Sequence, residues 1–374
     1  MKAPGILVCT LVAATAVPVP VPVLAQAQVP ANLTEMPPVS DEYRPATTQW
    51  GDPDLRGTWP LNDIADLPVN RPEQYGDRFW KTPEEIAAEQ GRVETIEQSY
   101  AVEDEQSTIG LGHWIEFRAG THRTSMVVAP ATGRLPDWTD EGRARSAQMR
   151  SSWLIGQTYD WTDDFDTYDR CITRGFPAAM YPARYNNGIR IFQSPGQVSI
   201  VIEMLGIRHI PVGEGGHWPA AVTGWYGSSR GRWLDHNTLE VETTNLKTGA
   251  SVFSNGTGGV PANNTTPVSE QARVVERFSL VGPDTLTYEM TYNDPVVWTA
   301  PFTLRVDWTR DDAYQMFEYA CHEGNVQLRG YITSDRARRE DEYRRGRMIE
   351  PIDPNAGPPP AMDPAAGGLR RREN

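Results

Sequence analysis

Apolar and polar residues alternate with period two along much of the second half of the chain. Leu239-Glu-Val-Glu-Thr-Thr and Leu286-Thr-Tyr-Glu-Met-Thr are the clearest runs, and each predicts a strand with one buried face. From residue 188 these runs come in pairs around turn residues. Ile189 to Ser194 and Gln197 to Met204 flank Pro195-Gly196, and Arg230 to Leu234 and Thr238 to Asn245 flank Asp235-His236-Asn237. Ala272 to Leu280 and Thr285 to Tyr292 flank Gly282-Pro283-Asp284, and Phe302 to Trp308 and Tyr314 to Ala320 flank residues 309–312. Four successive hairpins predict an antiparallel meander, and a long meander usually closes to remove its edges.

Helical signals are few. Thr82-Pro83-Glu84-Glu85 predicts a capped helix running to about Tyr100, with Pro83 in the first turn and Glu85 completing a capping box. A short helix is expected after Thr139, to about Arg150. A charged helix is expected over Ser334 to Arg347, capped by Ser334 or Asp335. Between the first two, Arg123 to Pro130 reads as a strand ending in a turn at Ala131-Thr132-Gly133.

Residues 1–27 read as a secretory signal: Lys2, an apolar stretch over Ile6 to Leu24, then Ala25-Gln26-Ala27. A membrane anchor is the alternative, weakened by Pro18, Pro20 and Pro22. An extended Pro-rich arm (28–50), a single β-barrel-like domain (51–348) and a disordered tail (349–374) are expected to follow. Export to the periplasm would leave two cysteines, Cys171 and Cys321. In an oxidising compartment these most simply form one disulfide, the alternative being two buried thiols. The net charge of −14 argues against nucleic acid or an anionic membrane as partner. Tryptophan is unusually abundant, at 12, beside 14 tyrosines and nine phenylalanines. HExxH and P-loop patterns are absent and no GxGxxG opens a helix after a strand, so neither a cofactor nor a metal is expected.

Several strings together resemble a largely uncharacterised family of exported bacterial proteins. They are Gly227-Ser-Ser-Arg230-Gly-Arg232-Trp233 with Asn237 to Asn245, Arg123-Thr-Ser with Gly133-Arg-Leu-Pro136, Arg170-Cys-Ile172, and Tyr319-Ala-Cys-His-Glu-Gly-Asn325. Where that family usually has Glu-Gly-Asp, this chain has Leu234-Asp235-His236, a departure confined to a turn. Gly57-Thr58-Trp59 resembles the G-x-W of lipocalin-like barrels, whose Trp plugs one barrel end. The fold these resemblances imply is mainly β: an antiparallel calycin/lipocalin-like barrel with an N-terminal arm and a few peripheral helices. The chain also looks like bacterial phenylcoumaran gamma-formaldehyde lyases, which implies a cofactor-independent carbon–carbon lyase acting on a lignin-derived aromatic dimer, with a small aromatic molecule as its partner.

Candidate site residues follow from local chemistry. Glu203, a carboxylate in an apolar strand, suits a base, or else pairs with Arg208 or His209 in the next strand. His322, beside Cys321, suits a general acid or base, or else closes a strand-end turn. Tyr185 and Asn187, at the end of Tyr181-Pro-Ala-Arg-Tyr185-Asn-Asn187, suit hydrogen bonding to a phenol, or simply an Asn-rich turn. Arg232 with Arg230 suits an anion, a solvated edge, or stacking on Trp59. The lyase reading assigns Glu203 and His322 as catalytic and Arg208, Tyr185, His209, Arg232 and Asn187 to substrate binding, all converging on one pocket. A non-catalytic, lipocalin-like periplasmic binder of a hydrophobic or aromatic ligand is the alternative. A glycoside-active enzyme comes third, lacking a positioned carboxylate pair.

Overall fold

The structure, a computed structural model, describes residues 29–106, 121–154, 156–183, 185–252 and 265–346. The expected signal and the expected tail lie outside the described residues. The chain is mainly β. One antiparallel sheet has four strands in the order β1 (Gly57–Pro60), β3 (Gly188–Ser194), β4 (Gln197–Ile202), β5 (Gly206–Pro211). The other has six, in the order β2 (Val127–Ala129), β12 (Phe302–Thr309), β11 (Thr285–Asn293), β10 (Arg273–Gly282), β7 (Thr238–Thr244), β6 (Ser228–Trp233). A separate ribbon pairs β8 (Gly249–Val252) with β9 (Thr265–Val268).

The alternation seen in the sequence decides the faces. Leu239 and Val241 of β7, Val274 and Phe278 of β10, Leu286 and Tyr288 of β11, and Val306 and Trp308 of β12 are buried in one core with Ile189, Ile200 and Ile210 of the smaller sheet. Tyr288 stacks on Trp308 at 4.8 Å between ring centroids, and Phe278 packs edge-on against Trp308 at 5.9 Å. The intervening positions form a charge ladder on the outer face, with Glu240 between Arg232 and Arg277 and Arg305 opposite Glu289.

The two sheets meet at two seams, one between β5 and β6 and the other between β1 and the residues just past β12. At one seam the Gly213 N–H donates to the Gly231 carbonyl at 2.9 Å. At the other the Asp311 N–H donates to the Thr58 carbonyl at 2.9 Å, and the Thr58 N–H to Asp312 Oδ1 at 2.9 Å. Among the described residues no sheet closes on itself.

Three of the four expected hairpins form. The fourth does not: residues 314–320 are irregular. Both edges of β12 are already occupied, by β11 and by β2, and residues 311 and 312 are bonded to β1, so the chain has no edge to fold back onto.

Both early helices keep their expected caps. Thr82 and Glu85 exchange the two bonds of a capping box at the start of α1 (Pro83–Glu105), and Thr139 Oγ1 accepts from the Gly142 N–H to cap α2 (Asp140–Gln148). A one-turn helix, α3 (Cys321–Gly324), precedes α4 (Gln327–Arg344), which starts seven residues before the expected cap at Ser334. Asp335 instead lies inside α4, where it binds Arg338, Arg339 and the Tyr159 N–H. The arm is tied down along its length: Phe79 N–H donates to the Leu33 carbonyl, Trp80 Nε1 to the Glu35 carbonyl and Asn237 Nδ2 to the Ser40 carbonyl.

Candidate functional site

The Cys171–Cys321 disulfide forms, and it joins two loops that carry most of the polar chemistry at one end of the small sheet. Tyr168 lies just before Cys171, and Tyr319 just before Cys321. The Tyr168 hydroxyl contacts the Tyr319 hydroxyl at 2.7 Å and the Tyr185 hydroxyl at 2.8 Å. The Tyr185 and Tyr319 rings stack at 6.5 Å. Asn325 Nδ2 donates to the Asp169 carbonyl at 2.8 Å, a second tie between the loops. Burial and the two neighbouring phenols raise the Tyr168 pKa, and burial pushes Tyr319 up to about 12, so both hydroxyls stay protonated at neutral pH.

Glu203 sits just past β4 and joins this region. Its carboxylate accepts from the Gly188 N–H at 2.7 Å, the Phe317 N–H at 2.7 Å, the Tyr314 hydroxyl at 2.9 Å and Asn186 Nδ2 at 3.3 Å. Four donors engage both oxygens, so Glu203 clamps the 314–317 segment to the start of β3. His322 is exposed on α3, one residue beyond the disulfide. Glu203, Tyr185 and His322 thus lie on segments that meet at one end of the small sheet.

The other predicted site residues point elsewhere. Arg208 is buried in the core between the sheets and pairs with Glu276 of β10, not with Glu203. Its two bonds to that carboxylate measure 2.8 and 2.6 Å, the guanidinium lies 4.3 Å over the Phe176 ring, and the Tyr288 hydroxyl donates to Glu276 at 2.8 Å. Side chains alternate along β5, so His209 faces outward and its Nδ1 meets Ser199 Oγ at 3.0 Å. Arg232 is on the outer ladder, 2.6 Å from Glu240, rather than on Trp59. Asn187 is buried and closes its own loop, accepting from the Ala183 N–H at 2.6 Å.

Sequence reasoning missed Tyr168, Arg174 and Tyr226. Tyr226 bonds Thr173 Oγ1 at 2.9 Å. All three come from irregular segments, where no period marks a buried side chain. Among the described residues no group of three His, Cys, Asp or Glu side chains is placed to hold a metal ion, and no helix is long and apolar enough to cross a membrane. The chain matches no family model and no curated protein.

Proposed function

We propose that the protein is an exported, cofactor-independent carbon–carbon lyase for a lignin-derived aromatic dimer of the phenylcoumaran type, releasing formaldehyde to give a stilbene. The observation that carries the reading is the cluster of three hydroxyl-bonded tyrosines held by the disulfide, with Tyr185 partly open to solvent. Aromatic faces and phenol donors in one place suit a phenolic substrate. The motif resemblance supplies the reaction.

In this reading the sheets act as one calycin-like barrel in the order β1-β3-β4-β5-β6-β7-β10-β11-β12, sealed at the two hydrogen-bonded seams. The substrate lies at the end marked by the disulfide. Its free phenolate pushes the furan C–O bond open, leaving a quinone methide and a second phenolate. A base takes the proton of the side-chain hydroxyl, and the Cβ–Cγ bond breaks to release formaldehyde. The electrons of that bond form the alkene and restore the aromatic ring, and the proton ends on the phenolate freed by ring opening. With all four donors on Glu203 engaged, we assign the base to His322, and Tyr185 positions the phenol.

The test is an assay of purified protein with a phenylcoumaran, scoring formaldehyde and stilbene together. Turnover is expected, with His322→Ala reduced on the order of 10²–10⁴-fold in kcat. Tyr185→Phe should act chiefly on KM. Binding of the intact dimer without product would overturn the lyase reading and favour the non-catalytic binder, a reading that the engaged carboxylates of Glu203 and Glu276 already support.

A further inference from the structure

The two sheets turn very different faces to solvent. On the larger sheet the outward positions pair acids with arginines: Glu240 with Arg232 and Arg277, Glu242 with Arg273, Glu289 with Arg305. On the smaller sheet the outward positions of β3, β4 and β5 hold no acid, in a chain of net charge −14. Their one arginine, Arg190, is held to β1, where its Nε donates to Thr58 Oγ1 at 2.9 Å.

The register lays this face out. Phe192, Ser199 and His209 stand in one row across the three strands, and Arg190, Val201 and Ile207 in the next. Phe192 is diagonal to Val201, so Phe192, Val201 and Ile207 make an apolar strip, with Phe192 51% and Ile207 55% exposed. Beside it, Ser199 Oγ meets His209 Nδ1 at 3.0 Å, and Gln197 Nε2 lies 3.2 Å from Ser199 Oγ and 3.4 Å from that ring nitrogen. An amide nitrogen only donates, so Nδ1 is the accepting nitrogen and Nε2 carries the proton of the neutral ring. Residues 314–316 cross the face at its other end: a Cβ on Gly188 would stand 2.8 Å from Met316 Cγ and 2.9 Å from Tyr314 Cε1.

We propose that this face binds an uncharged glycan chain. A sugar ring has apolar C–H faces, which stack on the negative face of an aromatic ring, and a rim of hydroxyls that both donate and accept. Phe192 and its aliphatic neighbours meet the first. The Ser199 hydroxyl, the Gln197 amide and the His209 imidazole, each able to donate and accept, meet the second. An acidic glycan would be repelled by the chain's net negative charge, with no free arginine on the face to offset it. An aryl-ether polymer presents mainly acceptors and calls for more than the one aromatic ring that these outward positions hold. A second copy of the chain does not fit by size: three strands of about 20 Å at about 4.8 Å spacing give about 300 Å², against about 800 Å² per partner in a stable interface. The inference is independent of the lyase reading.

Calorimetry on the full chain tests it with uncharged β-1,4-linked hexasaccharides of glucose, xylose and mannose. Oligogalacturonate is the acidic control and a β-aryl-ether trimer the aromatic one. At least one neutral hexasaccharide should bind with Kd below about 1 mM, and neither control should bind as tightly. Phe192→Ala should weaken that binding at least about tenfold, Phe192→Tyr should keep it, and His209→Ala should weaken it about fivefold, as the loss of one hydrogen bond would. Wild-type protein that binds none of the three hexasaccharides overturns the proposal whether or not a variant folds, as does tighter binding of either control. Hexasaccharide binding that both Phe192→Ala and His209→Ala leave unchanged overturns it as well.

Discussion

A guanidinium taken out of water has to be answered, and the residues around Arg208 show how. Glu276 meets it with two bonds, Tyr288 donates to the same carboxylate, and Phe176 lies against the cation. Burial pulls the Arg208 pKa down, but Glu276 outweighs it and the net shift is upward. Removing one member of such a pair strands the other, whereas removing both restores an apolar core. Glu276→Leu alone should therefore cost about 3–5 kcal/mol, and Arg208→Met with Glu276→Leu should recover most of that loss. Urea denaturation of the two single variants and the double variant measures the coupling. A double variant as unstable as the sum of the singles would show that the pair is not what holds these strands.

At the scale of elements, the loop from Arg150 to Arg174 is built on acids rather than on a hydrophobic period. Asp166 is 3% exposed and accepts from Ser151 Oγ at 2.9 Å and from the Tyr168 and Asp169 N–H groups, while Asp169 binds Ser152 through backbone and hydroxyl. Burial, then the neighbouring Asp169, raises Asp166 to about 6. A carboxyl raised in the folded state holds its proton after the unfolded chain has lost it. Its contribution to stability is full below the unfolded value of 3.8 and is lost as pH climbs through about 6. Asp166→Asn removes this dependence, so between those limits the variant should gain on wild type by on the order of 3 kcal/mol. Denaturation at several pH values tests this, and a difference that does not change with pH would contradict it. Acids of this kind also explain what the sequence concealed. Thr82 and Thr139 announced their helices because a cap is a local signal, whereas Asp335, which resembles a cap in sequence, serves the Tyr159 N–H across 176 residues.

Across the whole molecule, the strands were legible wherever one face is buried, since alternation then has to appear in the sequence. Three hairpins and the outer charge ladder follow from that. The tyrosine cluster was not legible, because Tyr168 and Tyr319 come from irregular segments that the disulfide, the Asn325–Asp169 bond and the Glu203 clamp bring together. Segment 314–320 looked like a strand by composition, but β12 had no edge left for it. The seam that took its place depends on β1, where Gly57 has φ +152° and an added Cβ would stand 2.9 Å from Arg310 Nε. Two residues on, Trp59 is fully buried, with Nε1 donating to the Leu55 carbonyl at 3.3 Å. Its ring fills the core next to the point where the sheets join, so the cavity left by Trp59→Ala would open beside the seam. That variant should lose about 3–5 kcal/mol, and Trp59→Phe clearly less, because the smaller ring still fills part of the space. Native-state hydrogen exchange locates the effect: the Thr58 and Asp311 amides should lose protection in Trp59→Ala before the β10–β11 ladder does. Uniform loss across both sheets would mean that Trp59 supports the core as a whole and has no special hold on the seam.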